Sequence, residues 1–391
     1  MDTDDDIDAL LRLVAAGGAT APRKSLLDHG RSPAAAVREG AAFWRACRLA
    51  EAQISALLKP DQATLDDAKR WLADSSHHLI GWTDPEYPPL LRRSPNAPFA
   101  LFVVGDPTLL WHPAVAIVGS RAATPGGRDN ATVFARAIAD AGFVVASGLA
   151  AGVDAAAHEA ALNVGGLTIA VLGTGADVAY PRGHATLHAR IKETGAIVSE
   201  HLPGTGARAE HFPSRNRILA GLSLGTLVVE AAERSGALIT ARQAAEAGRE
   251  VFAVPGSIHN PLARGCHRLI RDGAALVETA IEVIAALAPT AQELAGDLRQ
   301  RLHGPTSLVH TNCRTRVPDE ARDGFGPSGT GGASQDADYQ KLWKALGHDP
   351  TGMDQLVERT GLTPAELSSM LLLMELDGRV TTQHGRYHRS R

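Results

Sequence analysis

Between residues 115 and 285 the chain alternates short apolar runs with alanine-rich stretches, and no other feature limits its fold as strongly. The runs are VAIVG, FVVASG, TIAVLG, AIVSEH, TLVVEA, EVFAVPG and ALVET. The stretches lie at 128–141, 152–163, 184–194, 214–222 and 237–248. A strand with one wet face alternates apolar and polar residues. These runs do not, so both of their faces must be covered. Such strands, joined by helices, pair in parallel, and right-handed crossovers lay the helices on both sides of the sheet. The expectation is an α/β fold with a Rossmann-like, doubly wound, mostly parallel sheet over 111–285.

The flanks read differently. Residues 1–75 are rich in Ala, Leu and Arg, broken by Gly17-Gly18 and by Gly30 with Pro33. They predict a small helical domain of helix-hairpin or SAM-like type. Residues 76–110 contain DPEYPPLLRRSPNAPFALFVVGD, whose prolines forbid a long helix. They predict a connecting segment packing on the core, with LFVVGD as one short strand. Residues 286–335 include DGFGPSGTGGASQDA and read as a flexible linker. Residues 336–391 predict three helices and a hairpin, the pattern of a winged-helix domain. Thr363, Pro364 and Glu366 have the spacing of an N-cap, a first-turn proline and a capping box.

Composition narrows the chemistry. The formal net charge is −4, so no global field attracts a polyanion and any such site must be a local cluster of Arg and Lys. Cys47, Cys266 and Cys313 form no C-x-x-C pattern, which speaks against a disulfide framework and fits a reducing cytosol. The acidic start MDTDDDID does not read as a signal peptide, and no apolar run approaches the ~20 residues that cross a bilayer. A cytoplasmic protein with no membrane association is expected.

In parallel sheets, ligands bind beyond the carboxyl ends of the strands. Those ends carry Gly119, Ser120 and Arg121; Ser147 and Gly148, leading to Gly152, Asp154 and His158; Gly173 and Gly175, then Tyr180 and Arg182; Arg215, Asn216 and Arg217; Ser235 and Gly236; and Pro255 and Gly256. Small residues let backbone approach a ligand, and helix N-termini aim free N–H groups outward. Arginine makes forked bonds to phosphate. Several arginines on several loops suit several phosphates, as in a single-stranded nucleic acid. Any one position is equally well explained by a tight turn or a surface arginine; the convergence on one sheet edge favours a site. Tyr180 and Phe212 are the only stacking candidates, with core packing the plainer role for Phe212.

Other chemistries fit less well. The first turn, G-S-R-A-A-T, is not G-x-G-x-x-G, and the second strand has no acid at its tip to bind a ribose. Asp154 and His158 share a helix face, as an acid–base pair or, more simply, as a hydrogen bond orienting a loop. His184 with His188, and Cys266 with His267, lack a third metal ligand. No Walker loop or G-x-S-x-G elbow is present, so no cofactor, metal or catalytic residue is expected.

VAIVGSR, VVASGLAAGVDAAAHEAAL, VLGTGADVAYP, EHFPSRNRILAGLS, VVEAAERSGALITARQAAEAGREVFAVPGS and GCHRLIRDGAALV follow one another in order, preceded by DPEYPPLLR and VVGD. In these motifs the chain resembles the DNA-processing protein A (DprA/Smf) family from about residue 80 to 280. The resemblance implies a non-enzymatic single-stranded-DNA-binding protein of natural transformation. Such a protein protects incoming DNA, loads the RecA recombinase and forms a homodimer. It implies DNA contacts from the loop Gly119, Ser120 and Arg121, from Arg182, and from Arg215, Asn216 and Arg217. His184 stands where the family often has Asn. Two alternatives stay open. One is a nucleotide phosphoribohydrolase, although S-G-A-L-I-T-A-R lacks that family's G-T and catalytic Glu and leaves Glu230 as the only acid nearby. The other is a structural adaptor whose arginines bind a partner's acids. In the winged helix, Glu366, Glu375 and Asp377 on the third helix would repel phosphates. A protein partner, DNA contact through Arg379, Arg386 and Arg389 alone, or a simple packing role are the readings there.

Overall fold

The computed structural model describes residues 4–302, 334–347, 350–383 and 386–389. Two compact units divide the chain, residues 1–295 and 296–391.

In the first unit nine strands form one sheet. They are β1 (His77–Gly81), β2 (Ala100–Gly105), β3 (Ala114–Val118), β4 (Val144–Ser147), β5 (Thr168–Val171), β6 (Ala196–Ser199), β7 (Gly225–Val228), β8 (Glu250–Ala253) and β9 (Ala275–Leu276). Their order is β1-β2-β6-β5-β4-β3-β7-β8-β9. β2 runs antiparallel to β1 and β6, and every other neighbouring pair is parallel. From β3 the chain steps outward through β4, β5 and β6, then returns to set β7 beside β3, with Val118 opposite Val228. The direction of winding therefore reverses between β3 and β7, and their carboxyl ends open a crevice there.

Both sheet faces are covered, as the unbroken apolar runs require. Ala116, Val118, Ala146 and Val171 pack under Ile218, Leu219, Ala237 and Ala241, from helices His211–Leu222 and Gly236–Glu246. Val115, Ile117, Val145 and Leu227 face the other way. They pack against Phe134, Ala157 and Leu287, from helices Pro125–Asp140, Val153–Asn163 and Ala280–Leu302. Adjacent residues thus enter opposite layers, the two-residue period of a strand buried twice.

Three expectations change. Residues 76–110 contribute two sheet strands, β1 and β2, rather than a connector with one. HHLIG is too short to stand out alone; its backbone is fixed by pairing with β2, His77 opposite Val104 through Gly81 opposite Ala100. The helices of residues 4–72 do not form a separate body. Leu11, Leu65 and Ala68 pack with Phe102, Val104 and Ile197, and Leu10, Leu13, Leu26 and Ile54 pack with Phe99 and Ala100. These helices bury most of one cluster among themselves, but Phe99 and Ala100 close it, and a second apolar side, with Leu11, Leu65 and Ala68, lies on the antiparallel edge of the sheet. The segment expected as linker begins inside a helix, because Ala280–Leu302 continues past residue 286. Val283, Leu287, Ala291 and Leu294 keep helical spacing and are buried, so the composition shift does not end the element. Residues 303–333, the rest of that segment, lie outside the described residues.

The second unit is a winged helix. Helices Ser334–Ala345, Met353–Thr360 and Pro364–Leu376 surround Leu342, Leu346, Leu356, Leu367 and Leu371. β10 (Thr351–Gly352), β11 (Val380–Gln383) and β12 (Arg386–Arg389) make an antiparallel sheet in the order β10-β12-β11. Thr363 and Glu366 form the capping box read from their spacing. Two of the wing arginines are engaged on one ring: Arg379 and Arg389 lie 4.8 and 4.5 Å from the Trp343 centroid, and Arg389 donates to the Trp343 carbonyl. Arg386 is exposed, as are Glu366, Glu375 and Asp377. Among the described residues no helix is long and apolar enough to cross a membrane.

Candidate functional site

The reversal between β3 and β7 opens a cleft of about 770 Å³. Its lining comes from four loops and the helices they start: 118–122, 150 with 154, 207–219, and 232–240, with Tyr180 at the rim. Among the described lining residues are four arginines, Arg121, Arg208, Arg215 and Arg234, against one carboxylate, Asp154. The helix Gly236–Glu246 presents its N-terminal turn to the cleft with no acidic residue in it, so its positive dipole end is unopposed.

Gly119, Ser120 and Arg121 form one wall. Ser120 is nearly buried; its hydroxyl accepts from the Ala122 amide and its carbonyl from the Val153 amide. Arg121 is exposed, its guanidinium 5.6 Å from the centroid of Phe212. Phe212 and Tyr180 lie 5.2 Å apart, and Tyr180 is 43 % exposed. The opposite wall holds Asn216, whose amide donates to the Gly236 carbonyl, and Ser235, whose hydroxyl caps the next helix at Ala237.

Beneath these lies a tightly bonded floor. Arg215 is 5 % exposed and donates to the Gly148 carbonyl at 2.9 Å and to Asn216 Oδ1 at 3.2 Å. Asp154 Oδ2 accepts from the Gly148 and Ala150 amides. Burial raises the Asp154 carboxyl above its ordinary value, although Arg215 and the amides pull it back. Burial likewise lowers Arg215 to about 10, helped by Arg121 and opposed by Asp154. Two glycines are dictated by this packing. Gly152 has φ +82°, and a Cβ there would overlap the Ser120 carbonyl oxygen. A Cβ on Gly148 would fall on the Arg215 guanidinium.

The structure separates some residues that the sequence grouped. Arg217, expected beside Arg215 and Asn216, lies outside the cleft lining and forms a two-point ion pair with Glu200, at 2.8 and 2.6 Å. The motif lies within the helix read from sequence at 214–222, so two residues on is roughly 200° around the axis. Arg182 is exposed at the start of the turn Arg182–His184, also outside the lining. Gly173 packs beneath Phe212 and Gly175 against the 202–204 loop. Pro255 and Gly256 follow β8, away from the cleft. Arg208 and Arg234 were not picked out by sequence. Arg234 directly precedes Ser235-Gly236 and was there to be found; Arg208 sits in a loop without pattern.

Asp154 and His158 share a face without acting as a pair. Ser147 ties β4 to β3 through the Ile117 carbonyl, and His158 Nδ1 meets Thr168 Oγ1 at 2.7 Å. Thr168 donates its own proton to the Val145 carbonyl, so His158 must donate from Nδ1 and leaves Nε2 bare. With no exposure, burial lowers its pKa from 6.5 to about 3. The neutral ring folds without penalty above pH 6.5; below that, the unfolded chain takes up a proton that the folded one refuses. Urea melts between about pH 7 and about pH 5 should lose about 1.4 kcal/mol per pH unit below that point. His158→Asn, whose amide can still donate to Thr168, should flatten this limb; an unchanged limb would trace it to other groups.

Comparisons with known proteins agree with one another. Residues 78–288 match the family DNA recombination-mediator protein A, and residues 327–386 match the DprA winged helix domain. Protein Smf of Escherichia coli (strain K12) is 38% identical over 343 residues, covering 87% of this chain and 84% of that protein. DNA processing protein DprA of Streptococcus pneumoniae is 47% identical over 202 residues, 52% of this chain and 71% of that one. The crystal structure of the Streptococcus pneumoniae protein superposes with a TM-score of 0.64 at 36% identity, covering 73% of this chain and 99% of that one. DNA processing protein A from Helicobacter pylori, solved for its single-stranded DNA binding mode, gives a TM-score of 0.50 at 28% identity over 55% and 96% of the two chains.

Proposed function

Since the chain belongs to the DNA recombination-mediator protein A (DprA/Smf) family, we propose that its cleft binds single-stranded DNA during DNA processing in transformation. One observation carries the reading: four arginines and an acid-free helix N-terminus line a cleft that holds a single carboxylate among the described residues. Gly119, Ser120, Arg121, Arg215 and Asn216 are the contacts, joined by Arg208 and Arg234. Arg182 serves as an outlying contact. Arg217 is not carried forward, because Glu200 occupies it.

Phosphate contacts position a strand without reading its bases, so binding is sequence-tolerant. For ~4 phosphates neutralised, the log–log salt slope is about −3. The reading includes protection of the bound strand, its delivery to the RecA recombinase, a homodimer and a cytoplasmic setting; family membership supports these. It is also a non-enzymatic reading. Glu230, the acid a hydrolase would need, accepts from the Thr124 amide and hydroxyl and from Asn260 Nδ2. Asp154 is held by two amides.

Arg121 is the test, because it is exposed and, among the described residues, its guanidinium makes no hydrogen bond or ion pair and touches only the Phe212 ring. Arg121→Ala should weaken binding of an oligothymidylate more than tenfold, measured by fluorescence anisotropy, with an unchanged melting temperature. Wild-type affinity in that variant would remove the cleft as the binding site.

A further inference from the structure

Helix His211–Leu222 has a second charged flank, opposite the cleft. There Arg217 reaches Glu200 and the Ser214 carbonyl. Facing it from the N-terminal part of the unit is an aromatic pair, Trp82 and Tyr87, edge to face with centroids 5.3 Å apart. Lys24 Nζ sits 3.4 Å from the Trp82 centroid. Arg92 Cζ lies 5.4 Å from the same centroid and 5.2 Å from that of Tyr87.

Lys24 is poorly satisfied. It is half-buried, and among the described residues its ammonium has no hydrogen-bond or ion-pair partner besides the ring. The neighbouring charges that act on it, Arg217 and Arg92, are both of its own sign. Burial first, and those charges second, lower it to about 8. Glu200 is taken by Arg217, and the Asp84 carboxylate accepts from the Glu86 amide. Arg92 gives one N–H to the Asp84 carbonyl. The ring attracts a cation but cannot accept the hydrogen bonds an ammonium offers. An anion between Lys24 and Arg92 would accept them.

We propose that Lys24 and Arg92, resting on Trp82, form a second anion site that takes a phosphate of the strand held in the cleft. The inference rests on the nucleic-acid reading of the cleft. The two sites flank one helix, and a helix with its side chains is about 10–12 Å across. A chain of phosphates can reach both flanks, whereas a free phosphate ion would fill only one.

The test uses the full chain and a thirty-nucleotide oligothymidylate. Releasing one counterion fewer near 0.1 M salt weakens binding about fivefold and makes the salt slope shallower by about 0.7. Lys24→Gln should show both effects, and Lys24→Arg neither. Amine acylation near pH 8, read by mass spectrometry, needs no variant: the oligonucleotide should shield Lys24 in the wild-type chain. Unchanged affinity and slope in Lys24→Gln, with Arg121→Ala still impaired, would overturn this site alone. Both variants binding normally would instead overturn the cleft reading. Shielding of Lys24 by inorganic phosphate but not by the oligonucleotide would mark a site for a free anion and overturn the assignment to a strand.

Discussion

Gly152→Ala should destabilise the first unit by about 3–5 kcal/mol and abolish strand binding with it. Gly152 adopts φ +82°, where an L side chain is strained by about 1–3 kcal/mol. The larger penalty is steric. The added methyl would meet the carbonyl oxygens of Ser120 and Arg121, which are backbone atoms and cannot swing aside as a side chain would. That same Ser120 carbonyl accepts from the Val153 amide, so the loop after β3 and the start of the helix after β4 would be forced apart. Urea denaturation of purified variant and parent checks this. A difference below about 1 kcal/mol would mean that the two loops have slack and that the cleft wall is softer than its geometry indicates.

The second large effect is at Arg215. Arg215→Met should cost about 3–5 kcal/mol at neutral pH, because removing one member of a buried charge arrangement leaves the other without compensation. Here the survivor is Asp154, whose pKa is already raised by burial and is restrained chiefly by Arg215. Without the guanidinium it rises further. A carboxyl whose folded pKa exceeds its unfolded one adds stability at low pH, lost as pH rises through the folded value. The variant's deficit should therefore be larger at neutral pH than at about pH 4, the ordinary Asp value, opposite in sense to the acid limb assigned to His158. Oligonucleotide affinity should fall as well, since the Arg215 side chain lines the cleft. Equal deficits at both pH values would show that Asp154 does not answer to Arg215.

Much of this was legible in the sequence for a physical reason. Strands buried on both faces leave unbroken apolar runs, so β3 to β8 could be found without a partner in view. The capping box at Thr363 was equally plain, because the bonds that make it are local. What escaped depended on distant partners. β1 exists through its ladder with β2. The sequence placed Arg215 and Arg217 together as neighbours, whereas the helix sends one to Gly148 and the other to Glu200. Asp154 and His158 share a face, yet one serves the loop after β4 and the other serves β5 through Thr168. Lys24 and Trp82 meet across dozens of residues with no motif to announce them.

Glu230 has a mechanical consequence. One carboxylate grips Thr124, beyond the rim formed by Ser120 and Arg121, and Asn260, on the far side of β7. With the Gly152 turn wedged behind it, that rim is braced before anything arrives. On the proposed strand-binding reading, the ordering on association therefore falls almost wholly on the floppy polymer and not on its host. A guest stiffened in advance into the curve of the groove would be gripped more tightly than a limp one of identical charge.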